Sequence, residues 1–374
     1  MRIRTYSRGH IVQKFREHCQ SLTADKKAGY QREFEELSYT GQDFPCRAGD
    51  LSANKEKNRY PRILPYDHCR VKLCPLMSQP HSDYINASYV PGGYTSHDFI
   101  CTQAPLPSTM DDFWRMVWEQ NVQVIVMVTA LKGSSKVMCN QYWPPERGMG
   151  CYGAVQVTSM SCHYGPDCYV TTIHLRHRGQ SGERHVTHYH YPDWPDQGVP
   201  KDPSSLCAFA ERVRKHLEDV SPARPTVVHC SAGVGRSGTF VALLWLMRLC
   251  LRGIPPDVYL TVRDLRRHRV LMVQNLGQYI FVHQCLLHWL GRDKLGPSTH
   301  NAFRLQPQQP ERPKHSRRHG VSRGRQPDRP HQDPEATRLS LGSSLQTFLP
   351  GKLLRRILPA SSTPSSHASR DTEL

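Results

Sequence analysis

A cysteine, a glycine-rich turn and an arginine follow one another in residues 227–240, VVHCSAGVGRSGTF. The turn contains Gly233, Gly235 and Gly238, and glycines allow backbone N–H groups to converge on one point. These N–H groups, together with the positive end of the helix predicted to follow, form a binding site for an anion of phosphate size. Arg236 adds a planar guanidinium suited to two phosphate oxygens.

Cys230 lies at the rim of this predicted anion site, where the field that attracts an anion also favours the thiolate form of the side chain. The thiolate is the form of cysteine that attacks phosphorus. Five residues separate Cys230 from Arg236, so one loop can surround one dianion. The alternative is a buried cysteine beside a turn used only for packing, and it leaves Arg236 without a role at an apolar strand–helix junction.

The net charge of +17 over 374 residues is unevenly distributed. Residues 292–374 contain 15 basic and 7 acidic side chains and so carry +8 of this charge. A basic balance is consistent with phosphorylated substrates, nucleic acid or an anionic membrane as partners, and the charge alone does not choose among them.

The thirteen cysteines include no C-x-x-C pair, and no Cys/His spacing is typical of a zinc site. We therefore expect packed thiols in a reducing compartment, with no metal and no cofactor. The N-terminus lacks the apolar core of a signal peptide, and no apolar stretch approaches the ~20 residues of a membrane span. The chain as given is expected to be cytoplasmic.

Hydrophobic periodicity predicts interleaved helices and strands up to about Gly291. The predicted helices cover residues 11–37, 109–120, 204–220, 237–253, 257–269 and 276–291. Short strands are predicted near Leu73, at 82–90, 98–105, 122–130 and 225–230, and repeatedly between 151 and 192. This order predicts one α/β (α+β) domain with a central mixed β-sheet flanked by helices.

The composition divides the chain into three parts. Residues 1–10 are predicted to be an N-terminal extension, 11–291 the domain, and 292–374 a disordered tail rich in Pro, Arg and Ser. Within the tail, LQTFLPGKLLRRIL could form a basic amphipathic helix that contacts an anionic membrane or a partner. The final residues 372–374 would suit a PDZ-type groove.

HCSAGVGRSG resembles the H-C-x5-R-S/T-G signature of the protein tyrosine phosphatases. Further segments that resemble family motifs occur in the family's order over about residues 11–291: KNRY, DYINASY, TQAP, FWRMVWE, QYWP, WPDQGVP and VQNLGQY. The details are most similar to receptor-type enzymes whose ectodomains carry fibronectin type III repeats. The resemblance implies the catalytic part of a longer, membrane-associated receptor.

The resemblance also implies a mechanism. Cys230 attacks the phosphate and forms a phosphocysteine, while Arg236 and the loop amides stabilise the transition state. Asp196 of the WPD segment donates a proton to the leaving tyrosine oxygen and later acts as general base, on a loop that closes with Trp194 and Pro195 as hinge and anchor. The residues that would surround the phosphate are Ser231, Ala232, Gly233, Val234 and Gly235.

Other residues receive supporting roles from the same resemblance. Gln274 and Gln278 position the attacking water, and Ser237 offers its hydroxyl to the departing thiolate. Tyr60 forms the wall that stacks on phosphotyrosine, and His229 orients the cysteine loop. Simpler interpretations remain open, because Asp196 could be a turn residue, the glutamines a helix start, and Tyr60 a core residue. Asp193 is a second candidate for the acid.

The segment VTALKGSSKVMCNQYWP departs from the family pattern, which has an acid that pairs with the signature arginine. Counting back without gaps places Gly133 at the acidic position and Met138 at a nearby lysine position. A short insertion moves these positions to Leu131 and Lys136. Neither alignment restores an acid, so we expect Arg236 to be less firmly oriented.

Two further departures concern the pocket wall. Arg62 stands where the family often has Asp or Asn to hold the substrate backbone, which favours acidic flanking residues in the substrate. Ala104 replaces the glycine of the TQGP pattern, and we expect this change to affect local packing.

Three functions are compatible with these observations. The first is an active phosphatase that acts on phosphotyrosine-containing proteins. The second is a phosphotyrosine-binding pseudophosphatase with little turnover, favoured by the missing acid and by Arg62. In the third, the basic tail tethers the chain to nucleic acid or to an anionic membrane, and this function can coexist with either of the others. We do not expect nucleic acid as a partner, and KNRY and the domain length disfavour a dual-specificity phosphatase.

Overall fold

The computed structural model describes residues 4–165, 167–195, 198–221 and 224–292. Its centre is a mixed sheet of nine strands in the order β1-β2-β3-β9-β4-β8-β7-β6-β5. The strands are β1 Arg70–Lys72, β2 Tyr84–Val90, β3 Phe99–Thr102, β4 Val124–Met127, β5 Met149–Tyr152, β6 Val155–Tyr164, β7 Tyr169–His177, β8 Glu183–His190 and β9 Thr226–His229. The prediction of a central mixed sheet flanked by helices is confirmed.

The middle of the sheet is parallel and its two flanks are antiparallel. Strand β9 pairs in parallel with both β3 and β4, and β4 pairs in parallel with β8. All other strand pairs are antiparallel. The carboxyl end of β9 therefore opens at the centre of the sheet, where ligand sites of such folds tend to lie.

The helices confirm most of the predicted pattern. They are α1 Arg8–Leu37, α2 Arg47–Asp50, α3 Met110–Glu119, α4 Ser204–Glu218, α5 Gly235–Leu251, α6 Val258–His268 and α7 Leu276–Gly291, with short 3₁₀ helices at Ser52–Lys57 and Pro107–Thr109. Among the described residues, no helix is both long enough and apolar enough to cross a bilayer.

Side chains of the central strands alternate between two apolar cores. On β9, Val227 packs into the core that contains Phe113 and Trp114 of α3, whereas Val228 packs into the core formed with α4, α5, α6 and α7. This alternation is the period of two expected for a strand covered on both faces. Rigid packing on both faces fixes the position of the residue that follows β9.

The first helix differs from the prediction of one continuous helix over residues 11–37. Backbone angles are non-helical at residues 24–27, and Asp25, Lys26 and Lys27 have positive φ. A Cβ on Gly29 would lie 2.7 Å from the Cα of Leu22, whereas seven residues of straight helix span about 10.5 Å. The chain therefore reverses here, and α1 is a hairpin of two helical arms.

Some predictions lie outside the described residues. Asp196 is one of them. The tail beyond Arg292, with its candidate helix and its C-terminal residues, is another. Helix α1 begins at Arg8, within the stretch predicted to be an extension.

Candidate active site

The loop that follows β9 forms the floor of a cavity of about 310 Å³. Cys230 is the first residue after β9, and α5 begins five residues later at Gly235. The cavity is lined by Tyr60, Ile63, Lys136, Met138, Gly198, Cys230, Ser231, Ala232, Gly235, Arg236, Gln274, Asn275 and Gln278. Eight residues predicted from the sequence are among these, so distant segments of the chain meet at this cavity.

The loop owes its shape to a glycine and to a buried cation. Gly233 has φ +71°, and a Cβ there would lie 2.0 Å from the carbonyl oxygen of Thr102, so glycine is required. Behind the loop, the fully buried Arg269 donates hydrogen bonds to the carbonyl oxygens of Gly233 (2.9 Å) and Ala232 (3.1 Å). A third hydrogen bond runs from Arg269 to the side-chain oxygen of Asn86 at 2.8 Å. Carbonyls held at the back leave the loop amides available on the other side.

A chain of hydrogen bonds orients the peptide at Cys230. His229 Nδ1 lies 3.1 Å from the Cys230 carbonyl oxygen and therefore donates to it. His229 Nε2 then accepts from the Tyr142 hydroxyl at 2.7 Å, and that hydroxyl accepts from His188 Nε2 at 2.8 Å. Burial lowers the pKa of His229 to about 4 and the pKa of His188 well below 6.5, so both rings are neutral. His229 thus has the contacts of an orienting residue.

Two hydrogen bonds of Arg236 go to neutral groups of the described residues. Its Nη1 donates to Thr129 Oγ1 at 2.8 Å, and its Nη2 donates to the carbonyl oxygen of Pro195 at 3.2 Å. These two contacts are made with neutral groups, so the expectation of a less firmly oriented Arg236 stays a prediction. The Thr129 hydroxyl occurs two residues before Leu131, one of the two positions at which the resemblance implied an acid.

The segment after Leu131 is a tight hairpin. Lys132 pairs with Val137, and the Gly133 N–H donates to the Lys136 carbonyl at 2.9 Å. Lys136 lines the cavity, with its ammonium 5.6 Å from the centre of the Tyr60 ring. Met138, the lysine position of the alignment without gaps, lines the same cavity, so the lining alone does not choose between the two alignments.

Two glutamines come from the start of α7. Asn275 caps this helix by accepting from the Gln278 N–H at 2.9 Å, and Gln278 Oε1 accepts from the Gln274 N–H at 2.9 Å. A Cβ on Gly235 would lie 2.9 Å from the amide nitrogen of the Gln278 side chain. Glycine at this position therefore lets the glutamine side chain approach the loop closely.

Tyr60 and Ser237 occupy different positions relative to the cavity. The Tyr60 hydroxyl lies 2.8 Å from Ser231 Oγ, so the tyrosine forms a wall of the cavity. Ser237 is fully buried in α5, and its hydroxyl makes no hydrogen bond to any residue that the structure describes. Val234 and Gly233 are part of the loop but do not line the cavity.

Asp196 and the following residue lie outside the described residues, but Pro195 before them and Gly198 after them are described. Trp194 is buried and donates its indole N–H to the Gly198 carbonyl at 3.2 Å. Pro195 contacts Arg236 as stated above. The other candidate acid, Asp193, is exposed and does not line the cavity.

Arg62 and Ala104 are the other two residues that depart from the family pattern. Arg62 is exposed and does not line the cavity, although Ile63 does. Ala104 is fully buried, and its N–H donates to the Ser231 carbonyl at 3.0 Å. Ala104 is therefore packed against the loop that follows β9, and its methyl group is buried there.

Several residues of the site could not be recognised in the sequence. They include Arg269 directly after α6, Thr129 two residues after β4, and His188 on β8. Thr129 and Tyr142 lie in a segment that the sequence analysis had marked, VTALKGSSKVMCNQYWP, but the role of Thr129 was not recognised there. A buried arginine or threonine has no local sequence signal, because its role depends on a tertiary contact.

The family model for protein-tyrosine phosphatases matches residues 54–288. The chain belongs to the protein-tyrosine phosphatase family. It is 42% identical over 277 residues to receptor-type tyrosine-protein phosphatase V of Rattus norvegicus, covering 74% of this chain and 16% of the relative. It is 41% identical over 276 residues to receptor-type tyrosine-protein phosphatase eta of Mus musculus, covering 74% and 22%.

A third relative is receptor-type tyrosine-protein phosphatase H of Homo sapiens, 38% identical over 287 residues that cover 77% of this chain and 26% of the relative. The chain thus spans about a quarter or less of the length of these curated relatives. The region matched by the family model, residues 54–288, includes every residue that lines the cavity, from Tyr60 to Gln278.

Proposed function

We propose that this chain is a protein tyrosine phosphatase that hydrolyses phosphotyrosine in proteins through a phosphocysteine intermediate. The observation that carries the proposal is the convergence of Cys230, the loop after β9 and Arg236 on one cavity of about 310 Å³. A cysteine, converging amides and a guanidinium are the groups needed to bind a phosphate dianion and attack its phosphorus.

In the first step, the Cys230 thiolate attacks phosphorus, an S–P bond forms, and the P–O bond to tyrosine breaks. Arg236 and the loop amides stabilise the negative charge that develops on the phosphoryl oxygens. The leaving phenolate takes a proton, which we assign to Asp196. Two nearby residues support this assignment, because Pro195 contacts Arg236 and Gly198 lines the cavity.

In the second step, water attacks phosphorus and the S–P bond breaks, which regenerates the thiolate and releases inorganic phosphate. Gln274 and Gln278 would position the water, since both line the cavity beside Cys230. Asp196 would accept the proton of the water, and the buried hydroxyl of Ser237 would donate to the departing thiolate.

The wall of the cavity accounts for the proposed preference for tyrosine. Tyr60 is held by its contact with Ser231, and its ring can stack on the ring of phosphotyrosine. Phosphoserine would leave its phosphate short of the loop. The exposed Arg62 would favour acidic residues beside the phosphotyrosine.

The second candidate is a phosphotyrosine-binding pseudophosphatase. Thr129 favours it, because a neutral hydroxyl orients Arg236 less strongly than a charged carboxylate would. The complete set of Cys230, Arg236 and the glutamines favours the enzyme.

The test that separates these functions is steady-state hydrolysis of a phosphotyrosine peptide by the full chain, with Cys230→Ser as the control. We expect turnover by the wild type and none by the variant, and a covalent phosphoenzyme after acid quenching of the wild type. Tight peptide binding with turnover equal to that of Cys230→Ser would support the pseudophosphatase instead.

The acid is tested by comparing Asp196→Ala with Asp193→Ala, which removes an exposed carboxylate three residues earlier. Asp196→Ala should lower kcat about 10²- to 10⁴-fold, the usual contribution of a general acid. Binding of the phosphopeptide should survive. An equal loss in Asp193→Ala, or none in Asp196→Ala, would contradict the assignment.

A further inference from the structure

A second cluster of potential ligands lies away from the active site, where the hairpin of α1 packs against α7. His18 belongs to the first arm of α1, Glu33 to the second arm, and His283 to α7. One ligand atom of each residue lies within 4.8 Å of those of the other two. Fifteen residues of straight helix would separate His18 from Glu33 by about 22 Å, so the reversal at residues 24–27 brings them together.

His283 has an available nitrogen inside this cluster. The ring is 1% exposed, and its Nδ1 donates to the Tyr279 carbonyl at 3.0 Å. Nε2 therefore carries the lone pair, and it makes no hydrogen bond to any residue that the structure describes. A buried polar atom without a partner is costly, and a histidine that donates from Nδ1 to a carbonyl has the orientation typical of a metal ligand. Burial lowers the pKa of His283 to about 4, which keeps the ring neutral.

Glu33 is also oriented by a hydrogen bond from a residue next to the cluster. The buried Tyr279 hydroxyl donates to Glu33 Oε2 at 2.6 Å, which leaves other lone pairs of the carboxylate available. His18 is exposed, so its side chain has room to change rotamer, and zinc binding at about 2.0–2.2 Å would draw the three ligand atoms closer together than they are here.

We propose that His18, Glu33 and His283 bind a divalent transition-metal ion of the zinc type. Two imidazoles and one carboxylate are a known zinc ligand set that leaves a fourth position for water or another ligand. His283 also lines a cavity of about 670 Å³ between α1 and α7, which provides access to that position. Arg16 and Lys27 line the same cavity, but both are exposed, so solvent and salt screen their charges.

The test is titration of Co²⁺, a visible-light probe for zinc sites, into the full chain with its cysteines kept reduced. We expect saturation at one equivalent, with d–d bands and without the near-ultraviolet charge-transfer band of a thiolate ligand. His18→Ala and Glu33→Gln should weaken binding at least about tenfold, and Tyr279→Phe about 10- to 100-fold. His10→Ala removes an exposed histidine from the same helical arm and should bind like the wild type.

A second measurement does not depend on the spectrum. Zn²⁺ should raise the Tm of the wild type and of His10→Ala, because an ion that binds the folded state stabilises it. It should not raise the Tm of His18→Ala, whose exposed side chain can be removed without disturbing the core. Equal Co²⁺ affinity in the wild type, His18→Ala and Glu33→Gln, or a spectrum dominated by thiolate charge transfer, would overturn the proposal.

Discussion

At the scale of single residues, the hydroxyl of Thr129 takes over part of the orientation of Arg236. A carboxylate would add an opposite charge to the hydrogen bond, and such charge-assisted bonds are about twice as strong as neutral ones. Thr129 is fully buried, and its carbonyl oxygen is held 2.8 Å from His190 Nε2. Because its backbone is held in place, the hydroxyl presents a fixed acceptor to Arg236.

We predict that Thr129→Val lowers kcat/KM for a phosphotyrosine peptide about tenfold or more, because a buried hydrogen bond to a charged group contributes about 1.5–3 kcal/mol. Thr129→Ser retains the hydroxyl and should stay close to the wild type. Circular dichroism would confirm that both variants fold. Wild-type kcat/KM in Thr129→Val would show that the other contacts of Arg236 suffice.

The sequence predicted the residues of the loop but not the residues that hold the loop. Cys230, the glycines and Arg236 act at fixed spacing along the chain, so their chemistry could be read from one segment. Arg269 and Thr129 act through contacts with residues 36 and 107 positions away, respectively. No local pattern encodes such distances. The roles assigned to the site residues stay predictions until the variants are measured.

At the scale of elements, the turn inside α1 stands out because three consecutive non-glycine residues have positive φ. Lys27 is one of them, with φ 72° and an exposed side chain. We predict that Lys27→Gly raises the free energy of unfolding by about 1 kcal/mol, the cost of a left-handed conformation for a residue with a Cβ. Urea denaturation measures the change. Lys27→Ala keeps the Cβ, and an equal gain in that variant would exclude relief of backbone strain as the cause.

The sequence predicted one helix at this position for a physical reason. Residues 11–37 have helical spacing and helix-forming composition throughout, and no proline marks the reversal. The reversal is instead stabilised by packing between Leu22 and Gly29 and of both arms against α7. The same reversal explains why the sequence showed no metal-ligand spacing, since His18 and Glu33 become neighbours only after it forms.

At the scale of the whole molecule, burial of neutral histidines couples stability to pH. The unfolded chain binds a proton on each imidazole near pH 6.5, whereas His229 in the folded state does so near pH 4. The unfolded state therefore binds more protons between these values, and the free energy of unfolding should decrease as pH falls through this window. The expected slope is about 1.4 kcal/mol per pH unit for each such histidine.

Urea denaturation at several pH values between neutral and about pH 5 tests this coupling through the slope, which is independent of absolute stability. His229→Asn should reduce the slope by the contribution of one imidazole. His10→Ala, at an exposed position, should leave it unchanged. An identical slope in His229→Asn and the wild type would contradict the prediction.

Arg269 ties the anion loop to the sheet, since the same guanidinium contacts Ala232 and Gly233 in the loop and Asn86 and Ser88 on β2. Loosening the loop alone would remove the Ala232 and Gly233 carbonyls from a buried charge, and loss of partners of a buried charge is costly. Local opening of the loop is therefore unfavourable. On heating, the phosphate-binding loop and the sheet should unfold together. Cooperativity of this kind protects the nucleophile from partial unfolding for as long as the domain is folded.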